Sequence, residues 1–146
     1  MSTTKRILLI EDDGSLKRDL IKDLTAKGYE VKHANSYIAA LDRWKDNKGV
    51  FDCIILDLNI KPDEMDEEKY SKYFPIHGIL ILDKICEGIV PEEKIKIWIK
   101  TIVYSAYLDK LREYRYDFMY YNLLTLIPKE GTNSFKILED VEKIVN

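Results

Sequence analysis

Three apolar runs in this chain each stop at a charged residue, and this constrains the fold more than any property of the sequence as a whole. Ile7-Leu8-Leu9-Ile10 runs into Glu11-Asp12-Asp13, Ile54-Ile55-Leu56 into Asp57, and Leu126-Ile127-Pro128 into Lys129. A short aliphatic run without polar alternation is the pattern of a strand buried on both faces, and such strands belong to parallel sheets covered by helices. Ligands of these sheets bind beyond the carboxyl ends of the strands. If the three runs are neighbours, the acids and the lysine meet in one crevice.

The chemistry of that crevice follows from cost. Carboxylates gathered at roughly 4 to 6 Å repel one another and call for a cation. Hard oxygen donors favour magnesium, and an open position on the ion favours a phosphate oxygen. Lys129 supplies the complementary point charge for a phosphoryl oxygen. Each part has an ordinary reading when taken alone. The acids at 11–13 cap a helix, Asp57 is a strand-end acid, and Lys129 is a surface lysine.

Along the chain, strands alternate with helices. A strand over 6–10 is followed by a helix over 15–27, with Leu16, Leu20 and Leu24 repeating every four residues and Gly28 to stop it. A weaker strand covers 29–34. Ser36 caps the next helix, with Tyr37, Leu41 and Trp44 inward and Lys48-Gly49 closing it. The third strand covers 51–56, and a helix over 78–87 ends at Gly88. The fourth strand lies within 95–104, with Lys96 and Lys100 marking a partly exposed beginning. A fifth strand covers 123–127, and a last helix covers 134–145 with Phe135, Leu138 and Val141 on one face. The expected architecture is α/β, with five parallel strands and five helices.

At 146 residues the chain has room for one core, and a single domain over 1–146 is expected. Its 23 basic and 26 acidic residues are near balance, which argues against direct nucleic-acid binding or an anionic membrane surface. The four-residue apolar run after Arg6 is too short for a signal-peptide core or a membrane span, so a cytoplasmic location is expected. Cys53 and Cys86 have neither metal spacing nor a disulfide framework and read as small buried hydrophobes. His33 and His77 read as ordinary residues.

The order and spacing of these segments resemble the receiver domain of two-component response regulators. The matching stretches are KRILLIEDD (5–13), FDCIILDLN (51–59), HGILILDKI (77–85), IVYSAY (102–107) and LIPK (126–129). The resemblance implies a three-layer, doubly wound, flavodoxin-like sheet of strand order 2-1-3-4-5, with a Mg2+ cofactor. It implies that Glu11 acts on the metal through water, that Asp12 and Asp57 ligate it, and that Asn59 offers its backbone carbonyl. Asp57 would be the phosphoacceptor, Ser105 the hydroxyl that contacts the phosphoryl group, and Lys129 its cationic partner. The implied function is phospho-acceptance in two-component signal transduction, not enzymatic turnover of a substrate. The chain would take up, and slowly hydrolyse, its own aspartyl phosphate. The implied partners are a histidine kinase or phosphotransfer protein and a downstream protein. Tyr107, two residues after Ser105, would limit attacking water and slow the hydrolysis. A phosphohydrolase with an aspartate nucleophile needs a second acid two residues on, where this chain has Asn59.

Two stretches depart from the resemblance. Twenty-one positions separate Asp57 from Gly78, a far longer connection than the resemblance implies, with the extra material at about 61–77. This stretch sets Lys61, Lys69 and Lys72 against Asp63, Glu64, Asp66, Glu67 and Glu68, and carries −2 of the net charge of −3. It reads either as a solvated mobile insertion or as a lid on which Tyr70, Tyr73 and Phe74 pack back. The second departure is Leu126, which stands where the family has an aromatic residue three positions before the lysine. This leaves a receiver-like interaction module, acting without phosphorylation, as the alternative function. Upstream, Tyr114, Tyr116, Phe118, Tyr120 and Tyr121 crowd one segment, so the 107–127 region is the expected surface for a protein partner or a homodimer.

Overall fold

The computed structural model describes residues 4–129 and 134–146. The first three residues of the expected untargeted amino terminus therefore lie outside the described residues. In chain order the elements are β1 (Arg6–Ile10), α1 (Gly14–Ala26), β2 (Glu30–Ala34), α2 (Tyr37–Asp46), β3 (Cys53–Leu56), α3 (Glu67–Tyr73), α4 (Leu80–Ile85), α5 (Pro91–Ile99), β4 (Thr101–Ser105), α6 (Leu108–Glu113), β5 (Thr125–Pro128) and α7 (Ser134–Val145). The five strands form one parallel sheet in the order β2-β1-β3-β4-β5.

Both faces of the sheet are covered, which is why its central strands β1 and β3 show no polar alternation, whereas the edge strand β2 carries Glu30, Lys32 and His33. Leu8, Ile10, Ile54, Leu56 and Val103 face a core shared with α2, α4, α5 and α6. Ile7, Leu9, Cys53, Ile55, Ile102, Tyr104 and Ile127 face the opposite core, closed by α1 and α7. Cys53 and Cys86 are buried and unpaired, as expected of small hydrophobes.

Three expectations need correction. Residues 95–99 are not the start of the fourth strand but the last turns of α5; β4 begins at Thr101. Pro91 at the first position and Glu92 and Glu93 in the first turn favour the helix, and burial of Ile97 and Trp98 holds it on the core. The alternation Ile95-Lys96-Ile97 imitates a strand period over too short a span to decide the matter. Secondly, seven α-helices occur among the described residues rather than five; α3, α5 and α6 lie where no helix range was expected. Thirdly, α7 buries Ile137, Val141 and Val145 while Phe135 stands exposed, so its inward stripe is rotated from the expected one.

The segment 61–77 is folded, contrary to the mobile-loop reading. Lys61 forms a parallel bridge with Ser36, and its carbonyl accepts the Tyr37 N–H at 2.8 Å. The Asp63 carboxylate accepts the Ile38 N–H at 2.9 Å, and Ser36 Oγ accepts that of Ala39 at 3.1 Å. Successive amide donors at the start of α2 are thus satisfied, two of them by the insertion. Met65 is buried in the core, and Asp66 caps α3 by accepting the Lys69 N–H at 3.0 Å.

Candidate functional site

β2, β1 and β3 end level with one another, β4 and β5 run two residues further, and the ladder continues just past the strand ends. Ile10 pairs with Leu56, so Glu11 and Asp57 are the next residues on adjacent strands. Asp57 N–H donates to the Ile10 carbonyl at 2.9 Å, Glu11 N–H to Ala34 at 3.0 Å, and Lys129 N–H to Ser105 at 3.1 Å. Each of these three side chains is therefore aimed by a backbone held in the sheet. Lys129 lies two strands from Asp57, a gap of roughly 10 Å at about 4.8 Å per strand. Its stem bridges that gap beside Tyr104, whose ring centroid is 5.6 Å from the ammonium.

The charged ends converge. One oxygen from each of Glu11, Asp12 and Asp57 lies within 4.8 Å of the others. Lys129 Nζ sits 3.0 Å from Asp57 Oδ2 and 3.3 Å from Glu11 Oε2. Glu11 and Asp57 are buried, whereas Asp12 is exposed. Burial, reinforced by the Asp57 charge, pushes the Glu11 carboxyl up to about 7. Burial and Asp57 also raise Asp12. Burial works against the charge of Lys129, yet Asp57 and Glu11 outweigh it and hold the ammonium above its ordinary pKa. An excess of hard oxygen donors over positive charge fits a divalent ion such as magnesium.

Asp13 does not join this group. It caps α1, accepting the Leu16 N–H at 3.0 Å, so the helix-cap reading of the acidic triplet is correct for that one residue. Its own N–H donates to Glu11 Oε1 at 3.0 Å and helps orient that carboxylate. Asn59 N–H donates to Asp57 Oδ1 at 3.3 Å, and Asn59 lines the cavity over Asp57. Ser105 is buried at the end of β4, and its hydroxyl accepts the Tyr107 N–H at 2.9 Å. Among the described residues no hydrogen bond joins Ser105 Oγ to Asp57 or to the Lys129 ammonium; Ala106 and Tyr107 line the cavity in its stead.

The cavity holds about 460 Å3, and part of its wall comes from the insertion through Lys61, Pro62 and Tyr70. The lid reading of this stretch has Tyr70 packing back, and Tyr70 does line the cavity; Lys61 and Pro62 were missed as site neighbours, because nothing in the spacing shows where a segment this long folds back. Gly78 was missed too. A Cβ there would stand 2.5 Å from the Leu58 carbonyl oxygen and 2.8 Å from that of Asp57, and its N–H donates to Leu58 at 2.7 Å. Only a glycine allows that approach behind the site.

No family model matches the sequence, and no curated protein matches it. Solved structures do. A CheY-like response regulator receiver domain protein from Methanospirillum hungatei JF-1 aligns with 98% of this chain and 94% of its own length, at 19% identity and a TM-score of 0.66. A response regulator receiver domain protein from Clostridium thermocellum aligns over 97% and 94%, at 17% identity and a TM-score of 0.65. The chemotaxis protein CheY4 of Vibrio cholerae aligns over 97% and 99%, at 17% identity and a TM-score of 0.65. With the sheet order and the two covered faces, these likenesses establish the flavodoxin-like receiver fold over nearly the whole chain. Among the described residues no helix is long and apolar enough to cross a membrane.

Proposed function

We propose that this chain is a phospho-accepting receiver in two-component signalling, with Asp57 as the phosphoacceptor and Mg2+ as the cofactor. The observation that carries this reading is the convergence of the Glu11, Asp12 and Asp57 oxygens within 4.8 Å, with the Lys129 ammonium 3.0 Å from Asp57 Oδ2. Asp12 and Asp57 would hold the ion directly, Glu11 through water, and Asn59 through its carbonyl. A bound ion would neutralise the gathered carboxylates and the incoming phosphoryl oxygens.

In the reaction, an Asp57 oxygen attacks phosphorus in line, forming an O–P bond as the bond to the donor breaks. Acetyl phosphate would release acetate; a phosphohistidine on a kinase or phosphotransfer protein would release its imidazole. Lys129 holds a phosphoryl oxygen without giving up its proton. Ser105 would turn its hydroxyl from the Tyr107 amide to the phosphoryl group and so report the new charge to the protein-binding surface expected at 107–127. Water later cleaves the mixed anhydride to phosphate and free Asp57, so the chain resets itself and is no enzyme in the ordinary sense. A cytoplasmic location suits such a role.

Incubation with magnesium and acetyl phosphate, followed by intact-mass measurement, tests this. The wild type is expected to gain one phosphoryl group and Asp57→Asn none. An equal gain in both would place the acceptor elsewhere. A second reading, a receiver-like interaction module that works without phosphorylation, is favoured by Leu126, a half-buried aliphatic where the resemblance calls for an aromatic. Silence of both proteins would select it.

A further inference from the structure

The reaction at Asp57 leaves two features of the chain unused, the insertion and the tyrosine-rich segment after α6, and these two features are fastened to each other. Tyr73 on α3 donates its hydroxyl to Asp117 Oδ2 at 2.8 Å, and Lys72 pairs with the same oxygen at 3.6 Å. Tyr114 donates its hydroxyl to the Lys72 carbonyl at 3.3 Å. The Tyr73 ring packs edge-on against Tyr114 at 5.2 Å and at a tilt against Phe118 at 5.5 Å. Phe118 is buried beside Trp98 at 6.4 Å, and Trp98 meets Tyr120 at 6.2 Å.

The same part of the insertion also grips the loop that follows Asp57. Tyr70, one turn before Tyr73, lines the cavity and packs edge-on against His77 at 4.6 Å, while Phe74 stacks on the same imidazole at 5.9 Å. His77 Nε2 is 2.6 Å from the Ile60 carbonyl, and Gly78 N–H donates to the Leu58 carbonyl at 2.7 Å. His77 Nδ1 is buried without a partner, and with Nε2 donating to Ile60 the ring is fixed between Tyr70 and Phe74 by that one bond. Burial lowers its pKa accordingly.

We infer that α3 links the state of Asp57 to the 114–123 segment: a change in residues 58–60 on phosphorylation is passed by Tyr70, Phe74 and His77 to α3, and by Tyr73 to Tyr114, Asp117 and Phe118. The inference rests on Asp57 being the phosphoacceptor. A phosphoryl group adds about −1.5 to −2 charge within a cavity that Tyr70 lines. Packed aromatic contacts respond to such a change by moving between discrete arrangements rather than by bending. A helix with Tyr70 and Tyr73 three positions apart transmits that movement as a rigid body. Coupling of this kind is reciprocal, so breaking the far contact must alter binding at the near one.

Hydrogen exchange of the full chain with and without magnesium and beryllium fluoride, a phosphoryl mimic, tests the link through peptides covering 53–60 and 108–124. The wild type is expected to change protection in both. Tyr73→Ala is expected to respond only in 53–60, and its half-saturating beryllium fluoride concentration to shift by about fivefold or more. Tyr73→Phe keeps the rings and loses only the hydroxyl, which guards against a folding defect; at least half of the 108–124 response is expected to go. An undiminished 108–124 response in both variants overturns the link. A wild-type response confined to 53–60 does the same while leaving the phosphoacceptor reading intact. Silence of the wild type at 53–60 overturns that reading and the link together.

Discussion

The Lys129 ammonium lies 3.0 Å from Asp57 Oδ2, although the two residues are 72 positions apart and their strands are separated by β4. The contact does two things. It sets a fixed cation where a phosphoryl oxygen would arrive, and it offsets part of the repulsion between Asp57 and Glu11 until a metal binds.

Removing that cation should expose the repulsion. Lys129→Met is expected to lose roughly 1–3 kcal/mol of stability, less than a fully buried pair because the lysine is partly solvated. Urea unfolding with and without magnesium measures this, and magnesium should restore more stability to the variant than to the wild type. A variant as stable as the wild type in EDTA would contradict the role given to Lys129.

The raised Glu11 carboxyl predicts the pH dependence of the metal-free protein. A folded-state pKa of about 7 against an ordinary value of 4.5 means that the folded state binds the proton more tightly. Stability is therefore greatest below about 4.5 as far as this group is concerned, and falls as pH rises through the window up to about 7; Asp12 shifts in the same direction. Thermal melts in EDTA should drop across that window, on the order of 5 °C. Stabilisation by magnesium should be larger at the upper end, where no proton competes. Glu11→Gln should flatten the curve.

Tyr107 stands at the mouth of the cavity, 39% exposed, and its amide is tied to Ser105. If Asp57 is the phosphoacceptor, this ring is expected to restrict water near it. Once the protein is loaded with acetyl phosphate and desalted, Tyr107→Ala should lose its phosphoryl group severalfold faster than the wild type. Equal or slower decay would rule out the shielding role.

Gly78 has no room for a side chain behind Asp57. Gly78→Ala must push back the Leu58 and Asp57 carbonyls, and is expected to cost about 1–3 kcal/mol and to weaken labelling of Asp57. Gly88→Ala is the useful contrast. That residue has a positive φ of 80° but open space around it, so it should lose stability without loss of labelling at saturating donor.

Much of the fold could be read residue by residue. The runs 7–10 and 54–56 suit a sheet buried on both faces, although the equally aliphatic run 79–82 is helical, and Ser36 caps α2 as its side-chain chemistry indicates. The misreading of 95–99 shows where local pattern fails. Alternating Ile and Lys suits a strand edge as well as a helix side, whereas Pro91 and the acids of the first turn, together with the burial of Ile97 and Trp98, favour the helix. The helix at Glu67–Tyr73 had signals in plain view, with Asp66 as cap, acids in its first turn and Lys72 in its last. What it packs against had no local signal at all.

The chain's own order of residues was enough to specify a parallel α/β sheet and to put acids and a lysine at its strand ends, because burial, helix capping and turn formation depend on neighbours a few positions away. Folding in three dimensions settled that Glu11, Asp57 and Lys129 meet, that Ser105 faces its own loop, and that Tyr73 reaches Asp117. Apart from the bond between Tyr107 and Ser105, two positions apart, those contacts join residues 44 to 118 positions apart. They depend on which strands pair and where an insertion docks, and both follow from the free energy of the whole packed core rather than from any local stretch of sequence.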